Sequence, residues 1–318
     1  LTQANRFPFA IVSGITFLVM AIWLFRAPQA FSARQVPHAQ AAFVSIGCVG
    51  LYLVSHLLRA IRLAVIGVYI HKTSFRTLAL LNLSVAPWSM IAPFKLDEFI
   101  RLNELRTVNG SLPKALITIV IDRSMDGPMF LAFAVVLVLG GMPGIALFVG
   151  IFGIGMIAVT IGFFAASRVL HFIQSYIFLH HYKPRALQSL QIVHQLRQLA
   201  SLGRETIKST APILVVCTIG IWLFEIGAVA LMLSVFSPAH GSLSASLAET
   251  LVRANSGWRT LLLLDQLGVP SALTTRLFFA GLLIVWPLTI WFYCRRRMLE
   301  VSNADFLGRH WGPTVTRA

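Results

Sequence analysis

Apolar residues occur along this chain in long uninterrupted runs rather than in one-sided stripes. Runs of about 18 or more residues, the length that crosses a bilayer as a helix, lie near 8–25, 41–58, 115–140, 144–166, 211–236 and 272–294. They predict six full crossings. Two further stretches, 77–100 and 244–268, are apolar but interrupted by Pro87 and Pro93 in the first and by Ser256 and Gly257 in the second, and each ends in charges. A stretch broken in this way can enter the membrane and turn back where surrounding protein satisfies the freed backbone groups. Both are read as re-entrant helical pairs, with an interfacial helix or a short tilted span as the competing reading. The predicted fold is all-α: a polytopic membrane helical bundle of about six spans plus two broken segments. Residues 1–318 then form one membrane domain, with a charged motif in 1–140, a span and an amphipathic segment in 141–210, and a second half in 211–318.

The polar interruptions add an orientation. Between 168 and 210, apolar residues such as Leu187, Leu190, Val193, Leu196 and Leu199 alternate with basic ones at helical spacing. This predicts an amphipathic helix on the inner membrane surface, acting as an anchor, an anionic-lipid collector or a partner dock. Its basic residues, those after the second span (Arg59, Arg62, Lys72, Arg76) and Arg295 to Arg297 all fall on one side of a six-span chain. By the positive-inside rule that side is cytoplasmic, with both termini inside. The two broken segments would enter from opposite faces, as inverted repeats in transporters do.

Composition sharpens the class. The 318 residues are 57% hydrophobic and only 12% charged, with a mean hydropathy of +0.79, whereas soluble domains carry about 25% charged residues. The bilayer is the solvent that such a chain requires, which excludes most soluble enzyme classes. The net charge of +15, from 26 Lys and Arg against 11 Asp and Glu, fits basic loops facing anionic headgroups. No basic stretch belongs to a solvated domain large enough for nucleic acid, so no nucleic-acid partner is expected. Cys48, Cys217 and Cys294 share no short spacing, and neither a metal site nor a disulfide framework follows. No secretory signal peptide is expected, because the first apolar run leads into a charged loop without a small-residue cleavage site.

The acids are few and clustered. Asp97, Glu98, Glu104, Asp122 and Asp126 fall within thirty residues, around Lys95, Arg101 and Arg123. A charge in hydrocarbon costs at least ~3 kcal/mol on insertion scales, so such residues face a partner or a wet cavity. On a helix Asp97 and Glu98 can reach Arg101, Arg123 can reach Asp126, and Asp122 shares a face with Asp126. Two carboxylates on one face repel unless a cation, a proton or an arginine lies between them. Arg59 and Arg62, three apart at the end of the second span, could supply that charge, hold a lipid phosphate or snorkel to the interface. The cluster is therefore either a substrate site or an internal ion-pair network that fixes helix register. Glu225 is a lone carboxylate in the fifth span, read as a buried paired group or a proton relay. Arg259 and Arg276 in the second half could hold a headgroup or pair with Asp265 or Glu225.

No catalytic elbow, phosphate loop or histidine pair at metal-ligand spacing is present, and no enzyme, metal or cofactor is expected. A divalent ion held by Asp122 and Asp126 for headgroup transfer is the weaker alternative.

These residues resemble a family. The order Arg59-x-x-Arg62, Pro93-x-Lys95-x-Asp97-Glu98-x-x-Arg101, Ser111 and Ala115, then Asp122-Arg123-x-x-Asp126 is similar to the transmembrane region of lysylphosphatidylglycerol synthases, which also occurs as free-standing flippase-like proteins, some linked with hopanoid or glycolipid pathways. That family typically carries Pro-Gly-Arg-x-Gly-Glu-x-x-Arg and Glu-Arg-x-x-Asp. Here Phe94 and Asp97 replace the glycines, Asp122 replaces the glutamate, and a second Gly-rich element is reduced to Ser256-Gly257-Trp258-Arg259. The resemblance implies lipid handling. It does not imply aminoacyl transfer, which belongs to a soluble domain, and the stretch after Arg297 is only about twenty residues, too short for a catalytic fold.

The expected function is binding and translocation of a polar-headed anionic phospholipid, or of a polyprenyl- or hopanoid-type lipid intermediate, across a bacterial inner membrane. The expected contacts are Arg59, Arg62, Lys95, Asp97, Glu98, Arg101, Asp122, Arg123, Asp126, Glu225, Arg259 and Arg276. The alternative is a non-transporting accessory subunit partnered with a glycosyltransferase or another lipid-biosynthesis protein.

Overall fold

The computed structural model describes residues 38–86, 96–109, 111–180 and 184–236, with isolated helical residues between 243 and 287. Lys95, Arg259, Asp265, Arg276, the first span and most of the second broken segment lie outside the described residues. Every described element is helical: α1 (His38–His71), α2 (Phe75–Val85), α3 (Leu96–Asn109), α4 (Leu112–Ser124), α5 (Gly127–Leu139), α6 (Pro143–His180) and α7 (Pro184–Phe236). Three of them, over Ala42–His71, Pro143–Ala166 and Leu187–Val235, each contain a stretch long and apolar enough to cross a membrane. The all-α membrane bundle read from the sequence is the observed fold.

Local chemistry sets the element ends. Lys72, in the left-handed region at φ 54°, closes α1, and Ser74 caps α2 by accepting from the Thr77 backbone N–H. The α5–α6 turn runs through Gly141 at φ 77°. There the Met142 N–H reaches back to the Leu137 carbonyl at 2.8 Å, a closure that needs a residue free to adopt positive φ. Pro143 then starts α6 where its missing N–H is not needed.

Two expected spans and the 168–210 segment differ in the structure. The second does not stop at 58 but continues to His71, because Arg59 and Arg62 are paired inside the bundle and are not loop charges. The third, 115–140, is interrupted between Ser124 and Gly127. Pro128 is the cause: it supplies no N–H to the Ser124 carbonyl and its ring crowds that turn. The segment 168–210 is not a separate surface helix. Its first part extends α6, and residues 184–210 are the first half of the 53-residue α7. The first broken stretch contains α2 and α3, of 11 and 14 residues, which at 1.5 Å per residue are about 16 and 21 Å long, each too short to span.

Helices α1 and α7 pack most extensively. Their close approach is visible at Gly220, where an added Cβ would lie 2.8 Å from Leu58 Cδ1, as small residues permit between membrane helices. On one side Ala64, Leu78, Leu81, Leu105 and Ala115 join α1 to α2, α3 and α4. On the other, Phe133, Leu137, Ala146, Val149 and Trp222 join α5, α6 and α7. Only 17% of the most apolar stretch of α6 is buried, so its remaining surface faces lipid.

Candidate functional site

The charges meet where these two cores adjoin. On α1, Arg59 and Arg62 are three apart, and on α7, Thr218, Trp222 and Glu225 follow at intervals of four and three, so each set lies along one helix face. Asp122 is in the last turn of α4, and Asp126 is the residue at the interruption before α5.

Arg62 is fully buried. Its Nε donates to Asp122 Oδ1 at 2.8 Å, its Nη1 to Asp126 Oδ1 at 2.7 Å and to Thr218 Oγ1 at 3.0 Å, and its Nη2 to Asp126 Oδ2 at 3.2 Å. Trp222 Nε1 donates to the same Asp126 oxygen at 3.2 Å. The cation between the two aspartates is thus an arginine, in the place where a divalent ion would lie. No group of three or more His, Cys, Asp or Glu among the described residues is arranged to hold a metal. The interruption in the third span serves this pairing, since it carries Asp126 past the end of α4 and into the Arg62 fork.

Beside this centre Arg59 pairs with Glu225 and lies 5.8 Å from the Trp222 ring centroid. Of the readings open for Arg62, the geometry is that of the charge between Asp122 and Asp126, with four of its five N–H groups engaged internally. Glu225 is the Arg-paired residue of the two readings left open for it.

A second group lies at the start of α3. Glu98 Oε2 accepts from Arg101 Nη1 at 2.8 Å, and its other oxygen accepts from Arg123 Nη2. Asp97 is 3.8 Å from Arg101 Nη2 and is buried. Arg123 therefore pairs across to α3 rather than with Asp126 along its own segment. This group is wetter: the Arg123 and Glu98 side chains are 28% and 20% exposed, against 1% for Arg62. Buried Nε atoms of Arg59, Arg101 and Arg123 have no hydrogen-bond partner among the described residues.

The structure thus brings Arg59, Arg62, Asp97, Glu98, Arg101, Asp122, Arg123, Asp126 and Glu225 into two adjoining groups. Thr218 and Trp222 were missed in the sequence. Their spacing ahead of Glu225 was the available signal, but a threonine and a tryptophan in an apolar run read as ordinary packing.

The family model of the lysylphosphatidylglycerol synthase transmembrane region matches residues 9–263. The chain belongs to that family. Membership ties the protein to membranes and to lipid metabolism or transport. The matched region contains both charged groups and α1 to α7 whole. No curated protein and no solved structure matches the chain significantly.

Proposed function

We propose that the chain binds a polar-headed anionic lipid, or a lipid-linked intermediate, and moves it between the leaflets of the bacterial inner membrane. One observation carries this reading: Glu98 is shared by two arginines, Arg101 and Arg123, whose Nε–H groups are buried without an acceptor among the described residues. A carboxylate between two guanidinium forks occupies the position a phosphate would take, and phosphate brings more acceptor oxygens. Each unmet buried N–H costs about 1–3 kcal/mol, which an arriving phosphate oxygen would recover. Glu98 in this account is the resident counter-ion. The headgroup phosphate displaces it from the arginines, it turns to the hydroxyls or amine of the same headgroup, and it returns when the lipid leaves. Arg59, also part-exposed and with an unmet Nε, offers a further contact. The sequence carries no nucleotide-binding loop motif, so in this reading any energy input comes from an ion gradient or a downstream reaction, and facilitated flipping needs none. In this reading both termini are cytoplasmic, which the positive-inside rule favours for the basic residues other than the internally paired Arg59 and Arg62.

The alternative, a non-transporting accessory subunit of a glycolipid or exopolysaccharide synthesis complex, is favoured by a different observation: each of Arg59, Arg62, Arg101 and Arg123 already has a carboxylate partner.

The deciding experiment reconstitutes the purified protein in liposomes with fluorescent phosphatidylglycerol, phosphatidylcholine and polyprenyl-phosphate analogues and follows label accessibility across the bilayer. Headgroup-selective movement that Glu98→Gln abolishes supports translocation. Rates equal to protein-free vesicles for every lipid, with stoichiometric co-purification of a glycosyltransferase, support the accessory subunit.

A further inference from the structure

Helices α6 and α7 continue together beyond their uninterrupted apolar runs, 144–166 and 211–236. Phe163 of α6 lies against Gly203 of α7, and Ile207 packs with Ile70 near the end of α1. The apolar run of α6 ends at Ala166, ahead of Arg168, and that of α7 begins at Ala211. The remaining 14 residues to His180 extend about 21 Å further at 1.5 Å per residue, well beyond a headgroup layer of about 5–7 Å. This projecting hairpin is not polar throughout. Phe172, Tyr176 and Leu179, spaced by four and three on one face, are 72%, 50% and 63% exposed, and Phe178 and Leu187 are exposed as well. A cluster of large apolar side chains exposed beyond the apolar runs marks an interaction surface.

Between the two helices runs a crevice of about 480 Å3. It is lined by His171, Gln174 and Arg197 towards the membrane and by Phe178, Leu179 and Leu190 towards the tip. Arg197 Nη1 donates to Gln174 Oε1 at 3.2 Å across it. This polarity is opposite to that of a lipid of the adjoining leaflet, which places its headgroup away from the bilayer centre and its chains inward. A second copy fits no better. Residues 168–210 carry six Lys and Arg against the single acid Glu205, so two such hairpins repel.

We propose that the tip of the α6–α7 hairpin is a docking site for an acidic amphipathic helix of a partner protein. The partner's apolar side chains would pack on Phe178, Leu179 and Leu190, and its carboxylates would face Arg197 and the surrounding positive field. Helix-in-groove recognition of this kind uses an apolar stripe for affinity and flanking charge for choice of partner. The site is independent of the charged groups inside the bundle.

The test uses the full chain in phosphatidylcholine nanodiscs and a labelled 18-residue synthetic helix with one leucine stripe and glutamates elsewhere, beside a counterpart with lysines for glutamates. Fluorescence anisotropy should show the acidic helix bound about tenfold tighter than the basic one, with affinity falling as salt rises. Phe178→Ser and Arg197→Glu should each weaken it by about tenfold, while Phe43→Ser, on the lipid-facing side of α1, leaves it unchanged. Equal binding of both helices, or binding of neither, overturns the proposal. So does a dye on a Phe178→Cys variant that becomes shielded when phosphatidylglycerol alone is added, since the occupant is then the protein's own bilayer. Self-cross-linking of the same variant at that position would make the occupant a second copy and overturn it equally.

Discussion

Arg62 and Arg123 are both arginines in an apolar bundle, yet they are held in different ways. The Arg62 fork is filled by Asp122, Asp126 and Thr218, none of them from its own helix, and water does not reach it. Arg123 shares one part-exposed carboxylate with Arg101 and keeps a donor unspent. The difference separates two uses of charge in a membrane. A dry cation with four of its five N–H groups taken fixes the register of α1, α4, α5 and α7 and offers a ligand little. A half-satisfied, part-wet one can exchange its partner.

This contrast predicts a graded mutational series. The largest effect belongs to Arg62→Met, which leaves Asp122 and Asp126 buried and facing each other. Breaking a buried pair costs about 3–5 kcal/mol, so detergent thermal unfolding should show a large fall, mostly restored when Asp122→Asn and Asp126→Asn are added. An Arg62→Met variant as stable as the parent would remove the distinction between the groups. Asp126→Asn alone weakens a two-pronged charged contact and should cost about 1.5–3 kcal/mol, read from the same unfolding midpoints. Thr218→Val removes one acceptor from Arg62 and should cost about 0.5–1.5 kcal/mol. Glu98→Gln ends the series: a part-exposed ion pair contributes about 0–1 kcal/mol, so stability should barely move while lipid movement in liposomes is lost. If Glu98→Gln unfolds the protein as readily as Arg62→Met, the Glu98 group is part of the scaffold.

The fold class and the charged cluster were legible in the sequence, but the division of that cluster into two groups was not. Runs of apolar residues identify membrane helices because the bilayer demands them, so the fold class followed directly. The pairs Asp97–Arg101 and Glu98–Arg101 followed from helical spacing, and an arginine between Asp122 and Asp126 was one of three ways to relieve their repulsion. Spacing within a helix does not reveal contacts between helices. Nothing in the chain's local pattern says that Arg62 reaches Asp126 or that Arg123 turns to Glu98, 25 residues away. Span ends were misread for a related reason. Arginine ends a hydrophobic run on a hydropathy scale, but a paired arginine can lie inside a helix, as Arg59 and Arg62 do. Pro128 was visible in the third run, yet its effect depends on a partner for Asp126 that only the assembled bundle supplies.

The most direct test of the division is thermal unfolding of the parent, Arg62→Met and Arg123→Gln proteins in detergent across a titration of phosphatidylglycerol. A lipid that binds only the folded protein raises its midpoint with concentration. The account predicts that Arg123→Gln starts near the parent and gains little from the lipid, whereas Arg62→Met starts far lower. A full lipid-dependent rise in Arg123→Gln, or a starting midpoint as low as that of Arg62→Met, would contradict it.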